Sequence, residues 1–600
     1  MDRNSIIGFG LLLVLLVAYV IFNNQQQTKF NEQKRADSIA NAAAHPRAVK
    51  PDTVATATTL NTAPIADSNA MIPTQGVVET TVLENKNIAI TLSNKGAQPL
   101  SAQIKGFKTY EGDSLFLFQS KQDQLYIQLP EKNGALATSD LFFTASKPDA
   151  NSVVYHSDLG EGKSVKMTYT LPDSGYMMSV AIQLNGMEAN SFPMTWKING
   201  LHTEKDIELE RQSSQVYYKQ QDGEEDYYTI REEKDEKVDN AVRWLGYRQL
   251  YFSSALIAKN NAFNSVTMKN SPESKDSNVV TQNKFVFDLP ASGSNSQFNF
   301  DWYIGPNDFK ILKTYNEGLE EMVPLGYGVF TFVKYINKYF ISPVFYFLAK
   351  YVSNLGVVIM LLTVIIRLLL SFFTYKSYLS AAKMRVLKPE LDELRERLGG
   401  DQQKMGVEQM KLYRTAGVNP LGGCLPSLLQ LPILLALYYF IPTAIELRGQ
   451  SFLWATDLST YDSIYNFPNG FTIPFYGNHV SLFTLLMTAS SLFLALYNKN
   501  MSADPNNPMM KYMPYVFPFM LIGIFNKMAA ALTFYYFFSN MISILQQWVI
   551  KEFIIDEDKI HAQIQENKNK PATPSKWQQK LEEMQKVQQQ KMKQQPHRKK

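Results

Sequence analysis

The chain has 600 residues, 59 of them basic and 55 acidic, a net charge of +4 and a single cysteine, Cys424. Near-neutrality nominates no polyanionic partner, and one cysteine excludes a disulfide framework and a cysteine-based metal site. Charged residues make up only 19% of the chain, against roughly 25% in an ordinary soluble domain. The deficit is local: Asn419 to Ile550 holds four basic residues (Arg448, Lys499, Lys511, Lys527) and four acidic ones (Glu446, Asp457, Asp462, Asp504). Long uncharged runs of that kind read as membrane spans, so a soluble protein is excluded.

Behind Arg3, Ile6 to Phe22 is an apolar run of 17 residues, just at spanning length. Asn23-Asn24-Gln25-Gln26-Gln27 follows instead of a small-residue cleavage site, so residues 1–22 are expected to be an uncleaved anchor. Residues 23–75 are too polar to bury a core and read as a flexible linker. From Val77 the period changes to two, as in Asn87–Leu92, Ser164–Tyr169, Lys284–Phe287 and Gln297–Phe300. About a dozen such strands predict a large β-sandwich over residues 76–310, the first helical stretch being Arg243 to Ile257.

Residues 311–354 read as a helical connector, with Ile341, Val344, Phe345, Leu348 and Val352 on one face and Lys350 on the other. That amphipathic helix lies in the membrane interface or packs on protein; both readings are open. Five spans follow: Leu355–Thr374, Leu421–Ile445, Val480–Tyr497, Met509–Phe525 and Ala529–Ile550. The anchor makes six transmembrane helices, and the expected fold class is a membrane α-helical protein with a five-helix core (355–374 and 419–550) plus the β-sandwich. Lys and Arg number nine between Tyr375 and Val418 and twelve between Lys551 and Lys600, but one between Glu446 and His479. The basic segments therefore face the cytoplasm, both termini lie inside and the β-domain lies outside. Within 375–418, Met384, Leu387, Leu391, Leu394 and Leu398 form a heptad-like seam. Gly399-Gly400 turns the chain into a second helix, Gln402 to Thr415, giving a cytoplasmic hairpin. The tail, 551–600, carries eleven Lys/Arg against three Glu from Lys559 onward; ribosomal RNA contact and a solvated tail are the two readings.

Chemistry is sparse. None of the six histidines falls in a proposed span, no P-loop or Gly-x-Ser-x-Gly occurs, and the spans carry no Asp or Glu apart from Asp504 in a turn. This argues against an enzyme and against a proton-coupled carrier, and no metal or small-molecule cofactor is expected. The one expensive residue is Arg367, which costs about 2.5–3.5 kcal/mol near a span centre and sits roughly 10 Å from the cytoplasmic boundary. It either snorkels to the inner headgroups or faces inward, solvated by polar neighbours. Candidates are Thr363, Ser427, Gln430, Ser539, Asn540, Gln546 and Gln547. An inward arginine without a resident carboxylate describes a wet groove suited to a transient acidic visitor. Met509–Phe525, with Pro514 and Pro518, is about 25 Å long against a hydrocarbon core of about 30 Å, so it would thin the bilayer beside the groove.

Several motifs resemble one family. Asn419-Pro420-Leu421-Gly422-Gly423-Cys424-Leu425-Pro426, with Gln430 and Pro432, is similar to the third-span signature of the Oxa-type membrane protein insertases of bacteria. Ala381-Ala382-Lys383-Met384-Arg385 with Leu387-Lys388-Pro389 resembles that family's cytoplasmic hairpin. Leu437-Tyr438-Tyr439, Glu446-Leu447-Arg448 and Tyr535-Tyr536 before Ser539-Asn540 match as well, and Asn94-Lys95-Gly96-Ala97 stands at a comparable turn of the outer domain. Ala529-Ala530-Ala531 departs from the family, which often has glycine before the last span. The large outer domain and the absence of a lipobox cysteine point to the Gram-negative branch.

The resemblance implies insertion of transmembrane segments into the inner membrane, alone or with the Sec translocon. It places Arg367, Thr363, Gln430, Tyr535, Tyr536 and Asn540 along a substrate groove. It makes Lys383, Arg385, Lys388, Arg395 and Arg397 the hairpin's contact with the ribosome or the signal-recognition receptor. Implied partners are nascent membrane proteins and membrane lipids besides these, with the outer domain periplasmic. That domain resembles a mutarotase-like supersandwich but offers no catalytic constellation. The alternative reading is a lipid or small-molecule exporter with an outer binding domain.

Overall fold

Alternating apolar and polar residues build three antiparallel sheets between Thr80 and Pro306. The computed structural model describes residues 73–569 apart from 120–121, 132–133, 224, 274–277, 327, 399–401, 419–424, 469–470 and 498–507. The expected anchor, nearly all of the linker, the Asn419–Cys424 motif and the tail beyond residue 569 lie outside the described residues. A nine-stranded sheet runs Glu225–Thr229, Gln215–Gln220, Val242–Arg248, Phe252–Ala258, Ser296–Pro306, Met177–Asn185, Lys163–Thr170, Ser152–Gly160, Thr144–Asp149. A six-stranded sheet runs Lys234–Val238, Asn264–Pro272, Val279–Pro290, Ser191–Leu201, Gln124–Glu131, Gly134–Ala137. Thr80–Glu84, Ile88–Ser93, Gln98–Lys108 and Ser114–Phe118 form a smaller sheet. The two large sheets pack face to face through aromatic side chains. Trp196 stacks on Phe285 at 4.8 Å and meets Trp302 of the opposite sheet edge-on at 5.9 Å, while Phe192 meets Phe298 at 6.0 Å.

The segment Arg243 to Ile257 is not helical. It forms two paired strands, with Trp244 opposite Ile257 and Arg248 opposite Ser253. Every side chain of Phe252–Ala258 is buried. One face of this sheet lies on the core, and the other is covered by the chain around Glu317 and Met322: Trp244 donates to the Glu317 carbonyl at 2.9 Å. Burial on both faces removes the period-two pattern, and a short apolar run then reads as helix or strand alike. The helix α1 (Ile207–Ser213), unforeseen in the sequence, is started by Asp206, whose carboxylate accepts from the Glu208 and Leu209 amides.

Helices then take over: α2 (Phe309–Thr314), α3 (Phe332–Ile336), a π-helical turn at Asn337–Ile341 and α4 (Ser342–Tyr351). Ile341 and Phe345 are buried, and Phe345 packs edge-on against Phe440 at 5.2 Å. The opposite side is not simply polar, since Tyr339, Phe347 and Tyr351 stand exposed there beside Lys350. The connector therefore packs on protein along one face and presents aromatics along the other.

The remaining helices are α5 (Leu355–Val386), α6 (Lys388–Leu398), α7 (Gln402–Thr415), α8 (Leu425–Phe440), α9 (Leu482–Tyr497), α10 (Pro508–Phe525), α11 (Ala530–Val549) and α12 (Glu557–Asn569). Among the described residues α5 alone is long and apolar enough to cross a membrane by length and composition; Leu429–Thr443 and Leu482–Tyr497 are shorter apolar helical stretches. Two helices end elsewhere than the expected spans. α5 runs past Thr374 to Val386 because no Gly or Pro interrupts that stretch, so the first hairpin arm is only α6. α8 ends at Phe440, where Pro442 opens a tight 3-10 turn at Ile441–Thr443. The tail carries α12 near its start.

Gly356, in the first turn of α5, fixes how the loop after α8 meets the helices. A Cβ there would lie 2.1 Å from ring carbons of Phe452, which itself packs on Phe534 of α11 at 4.9 Å. Gly356→Ala is therefore expected to destabilise the protein by about 1–3 kcal/mol through overpacking, read as a lowered melting temperature in detergent.

Candidate functional site

The site begins with the periodicity of α5. Leu361, Leu368, Leu369 and Phe372 are exposed, whereas Leu362, Thr363, Ile366, Arg367, Thr374, Ser377 and Ser380 are buried. One face is thus apolar and outward, and the other carries a polar stripe inward. α11 answers with Tyr535, Ser539, Ser543 and Gln547, spaced by four and all buried, which helical geometry stacks on one face.

Arg367 lies between these stripes, 7% exposed. Its Nε and one terminal nitrogen donate to the Ser539 hydroxyl at 2.8 and 2.5 Å, and the other terminal nitrogen donates to Gln430 Oε1 of α8 at 3.3 Å. The guanidinium therefore turns into the protein rather than snorkelling. Among the described residues no carboxylate is within ion-pair distance of it. Gln546 donates to the Arg367 carbonyl at 3.4 Å, while the Oε1 atoms of Gln546 and Gln547 are buried without a hydrogen-bond partner. A cation held by neutral dipoles, next to spare acceptors, is a poor resting arrangement in low dielectric. An arriving carboxylate at about 4 Å would gain roughly 4 kcal/mol at an effective dielectric of about 20.

The other expected groove residues divide. Tyr535 is buried one helical turn from Ser539. Tyr536 turns away to meet Phe525 edge-on at 5.0 Å. Thr363 lies one turn above Arg367 on the same face, but its hydroxyl donates to the Ile359 carbonyl of its own helix at 2.6 Å. Asn540 points to α9, donating to Ser490 and Ser491 at 3.1 and 2.8 Å, so it ties α11 to α9 rather than solvating the arginine. The side chain of Ser427 lies outside the described residues. Ser490 and Ser491 were not singled out in the sequence; small hydroxyls inside an apolar helix, opposite an unexplained asparagine, were the available signal.

Of the basic residues expected on the hairpin, Lys388 and Arg397 of α6 are exposed, Arg395 of α6 is half-buried, and Lys383 and Arg385, also half-buried, lie at the end of α5. Arg385 pairs with Glu557 at 3.6 Å, and Lys568 forms an ion pair with Glu390. Both partners come from α12, whose Ile560 and Ile564 are buried with Ala382, Leu387, Tyr413, Ala416 and Val418. The seam thus holds a third helix as well as the hairpin. Ile564→Asp places a charge in that cluster and is expected to free α12, exposing the chain near residue 556 to limited proteolysis while the β-domain stays resistant.

At the other end of the helices, Arg448 reaches the β-domain. Its Nε contacts both Glu204 oxygens at 2.8 and 2.9 Å, and a terminal nitrogen donates to the Lys108 carbonyl at 2.6 Å. Both ionic side chains are almost wholly buried. Nearby His202 pairs with the fully buried Glu210.

A β-sandwich domain followed by apolar helices around a buried, unpaired arginine defines a membrane-embedded protein with an extramembrane module. Residues 347–558 match the family described as 60Kd inner membrane protein, and residues 80–341 match the YidC periplasmic domain. The chain is 36% identical to membrane protein insertase YidC of Parabacteroides distasonis, with all of both chains covered. It is 37% identical to that of Amoebophilus asiaticus, covering 95% of this chain and 96% of the relative. A crystal structure of an active YidC insertase with its first transmembrane domain resolved is 17% identical, with a TM-score of 0.33 over 81% of this chain and 96% of that one. The chain belongs to the YidC family of membrane protein insertases.

Proposed function

We propose that this protein inserts transmembrane segments into the inner membrane by letting the polar tail of a nascent segment enter the groove around Arg367 while its apolar part moves into lipid along the helices. The observation that carries this reading is the buried arginine, bound only to Ser539 and Gln430 among the described residues, on a helix whose opposite face is apolar and exposed. Apolar burial drives completion, at about 25 cal/mol per Å², so no nucleotide and no catalytic group is needed. The exporter reading finds no support in the relatives above.

In this account the helices α5, α8, α9, α10 and α11 are the five spans of the core, and the N-terminal run is a sixth. Both termini face the cytoplasm and the β-domain the periplasm, as the distribution of Lys and Arg favours. Thr363, Gln430, Tyr535, Tyr536 and Asn540 line or brace the groove. Lys383, Arg385, Lys388, Arg395 and Arg397 meet the ribosome or the signal-recognition receptor, with Lys388 and Arg397 the exposed pair. The Sec translocon is the remaining partner, carried over from the family resemblance.

The test uses purified protein in protein-free liposomes, with an added single-span substrate bearing a short acidic tail. Protection of the tail from external protease, above that with empty liposomes, is expected. No protection above that background would overturn autonomous insertion.

A further inference from the structure

Between α8 and α9 the described residues 463–468 and 471–478 form a finger, and the sequence from Ser463 to Asn478 contains no charged residue. Its base is tied down. Tyr465 pairs with Val480 and Asn466 with His479, and Asn526, wholly buried after α10, donates to the carbonyls of Tyr476 and His479 at 3.0 and 2.8 Å. Asp462 closes the base by accepting from the Phe483 amide and Trp454 Nε1, both at 2.9 Å. The finger is apolar at both ends: Ile464 and Tyr465 at the base are 51% and 55% exposed, and Phe471 and Phe475 beyond it 61% and 64%. A tight turn, with Gly477 donating to the Ile473 carbonyl at 2.9 Å, holds Phe475 at a φ of +67°. A bulky side chain tolerates that backbone poorly, so the fold spends strain to keep this ring outside.

The surroundings say what covers it. Gly523 of α10 is where the finger leans on the helices, for a Cβ there would lie 2.9 Å from the Phe475 carbonyl oxygen. Ile524, Met520 and Phe519, on the same end of α10, are exposed apolar side chains. The finger's exposed rings therefore continue the outward apolar surface of the helices at the level where α9 begins and α10 ends. Uncharged segments rich in Phe and Tyr at that level suit the boundary between acyl chains and headgroups.

We propose that this finger, through its described residues 463–468 and 471–478, is an interfacial anchor that enters the outer leaflet, its partner being the phospholipid surface rather than another protein. This rests on the reading of α9 and α10 as membrane spans. Anchoring there sets the depth of the outer ends of both helices, and so the thickness of bilayer beside the groove.

The test uses the full chain with Cys424→Ser and Phe471→Cys, labelled with an environment-sensitive fluorophore. The protein is reconstituted in phosphatidylethanolamine and phosphatidylglycerol vesicles carrying spin labels near the glycerol or at mid-chain. Phe475→Cys serves as a second position, and Leu368→Cys on α5 as the control. The expected result is blue-shifted emission at 471 and 475, quenched at least twofold more by the shallow label than by the deep one, with the order reversed at 368. Water-like, unquenched emission at 471 and 475 with deep quenching at 368 would overturn the anchor alone. Unquenched emission at all three would overturn the membrane reading beneath it. Quenching at 471 that appears only when a substrate segment is added would also overturn the proposal, by making that segment the partner.

Discussion

Arg367→Ala is expected to reduce insertion of a substrate with an acidic translocated tail by about tenfold or more, and to change a neutral-tailed substrate by less than about twofold. Tenfold corresponds to about 1.4 kcal/mol, well within the roughly 4 kcal/mol available to a charge pair at 4 Å in a partly hydrated site. The arginine's present partners are a hydroxyl and an amide, so an entering carboxylate displaces weak bonds and gains a charge-assisted one. Arg367→Lys keeps the charge but loses the planar fork that spans Ser539 and Gln430, and should fall between. Arg367→Glu should reverse the preference toward basic tails. Protease protection in liposomes reads all three, with melting temperature checking that the variants fold. If Arg367→Glu inserts acidic tails as well as the native protein does, the charge has no role in capture.

Arg448→Ala is expected to carry the largest stability cost. It leaves Glu204 buried without its counter-ion and removes the bond to the Lys108 carbonyl, and breaking a buried pair from one side costs about 3–5 kcal/mol. The penalty should depend on pH in a defined direction. Burial, only partly offset by Arg448, lifts the Glu204 carboxyl to about 7. A carboxyl raised in this way binds its proton more tightly in the folded protein, so its contribution is full at pH below the unfolded value and is lost as pH rises through about 7. His202, raised by its bond to Glu210, acts in the same sense. Without Arg448 the Glu204 value rises further, so the variant's loss of stability should be larger at pH 8 than at pH 5, by up to about 1.4 kcal/mol for the one pH unit above about 7. Thermal melts in detergent at the two pH values read this. An equal loss at both would mean that Arg448 acts through packing, not charge.

What could be read in the sequence followed from how local each signal is. The β-sandwich was legible because most strands have one wet face, and it failed at Arg243–Ile257, where both faces are buried. The hairpin arm Gln402–Thr415 was legible to the residue, since Gly399-Gly400 marks the turn before it. α12 was not, because Ile560 and Ile564 among many Gln and Lys look like a solvated tail until the cluster with Leu387 and Tyr413 is assembled. Arg367 stood out through its cost in an apolar run, and Gln430, Ser539 and Gln546 as rare polar groups at neighbouring depth. The pairing of Asn540 with Ser490 and Ser491, and of Arg448 with Glu204 some 244 residues away, depends on how helices and domains dock. No spacing along the chain encodes it.

The most direct test of the groove places a photo-crosslinking amino acid at Gln430, facing Arg367, or at Leu368, on the outward face of the same helix. A stalled single-span substrate carrying an acidic tail is then presented in liposomes. The tail is expected to crosslink from position 430, and the substrate's apolar segment, not its tail, from 368. A tail that crosslinks from 368 and never from 430 would contradict it.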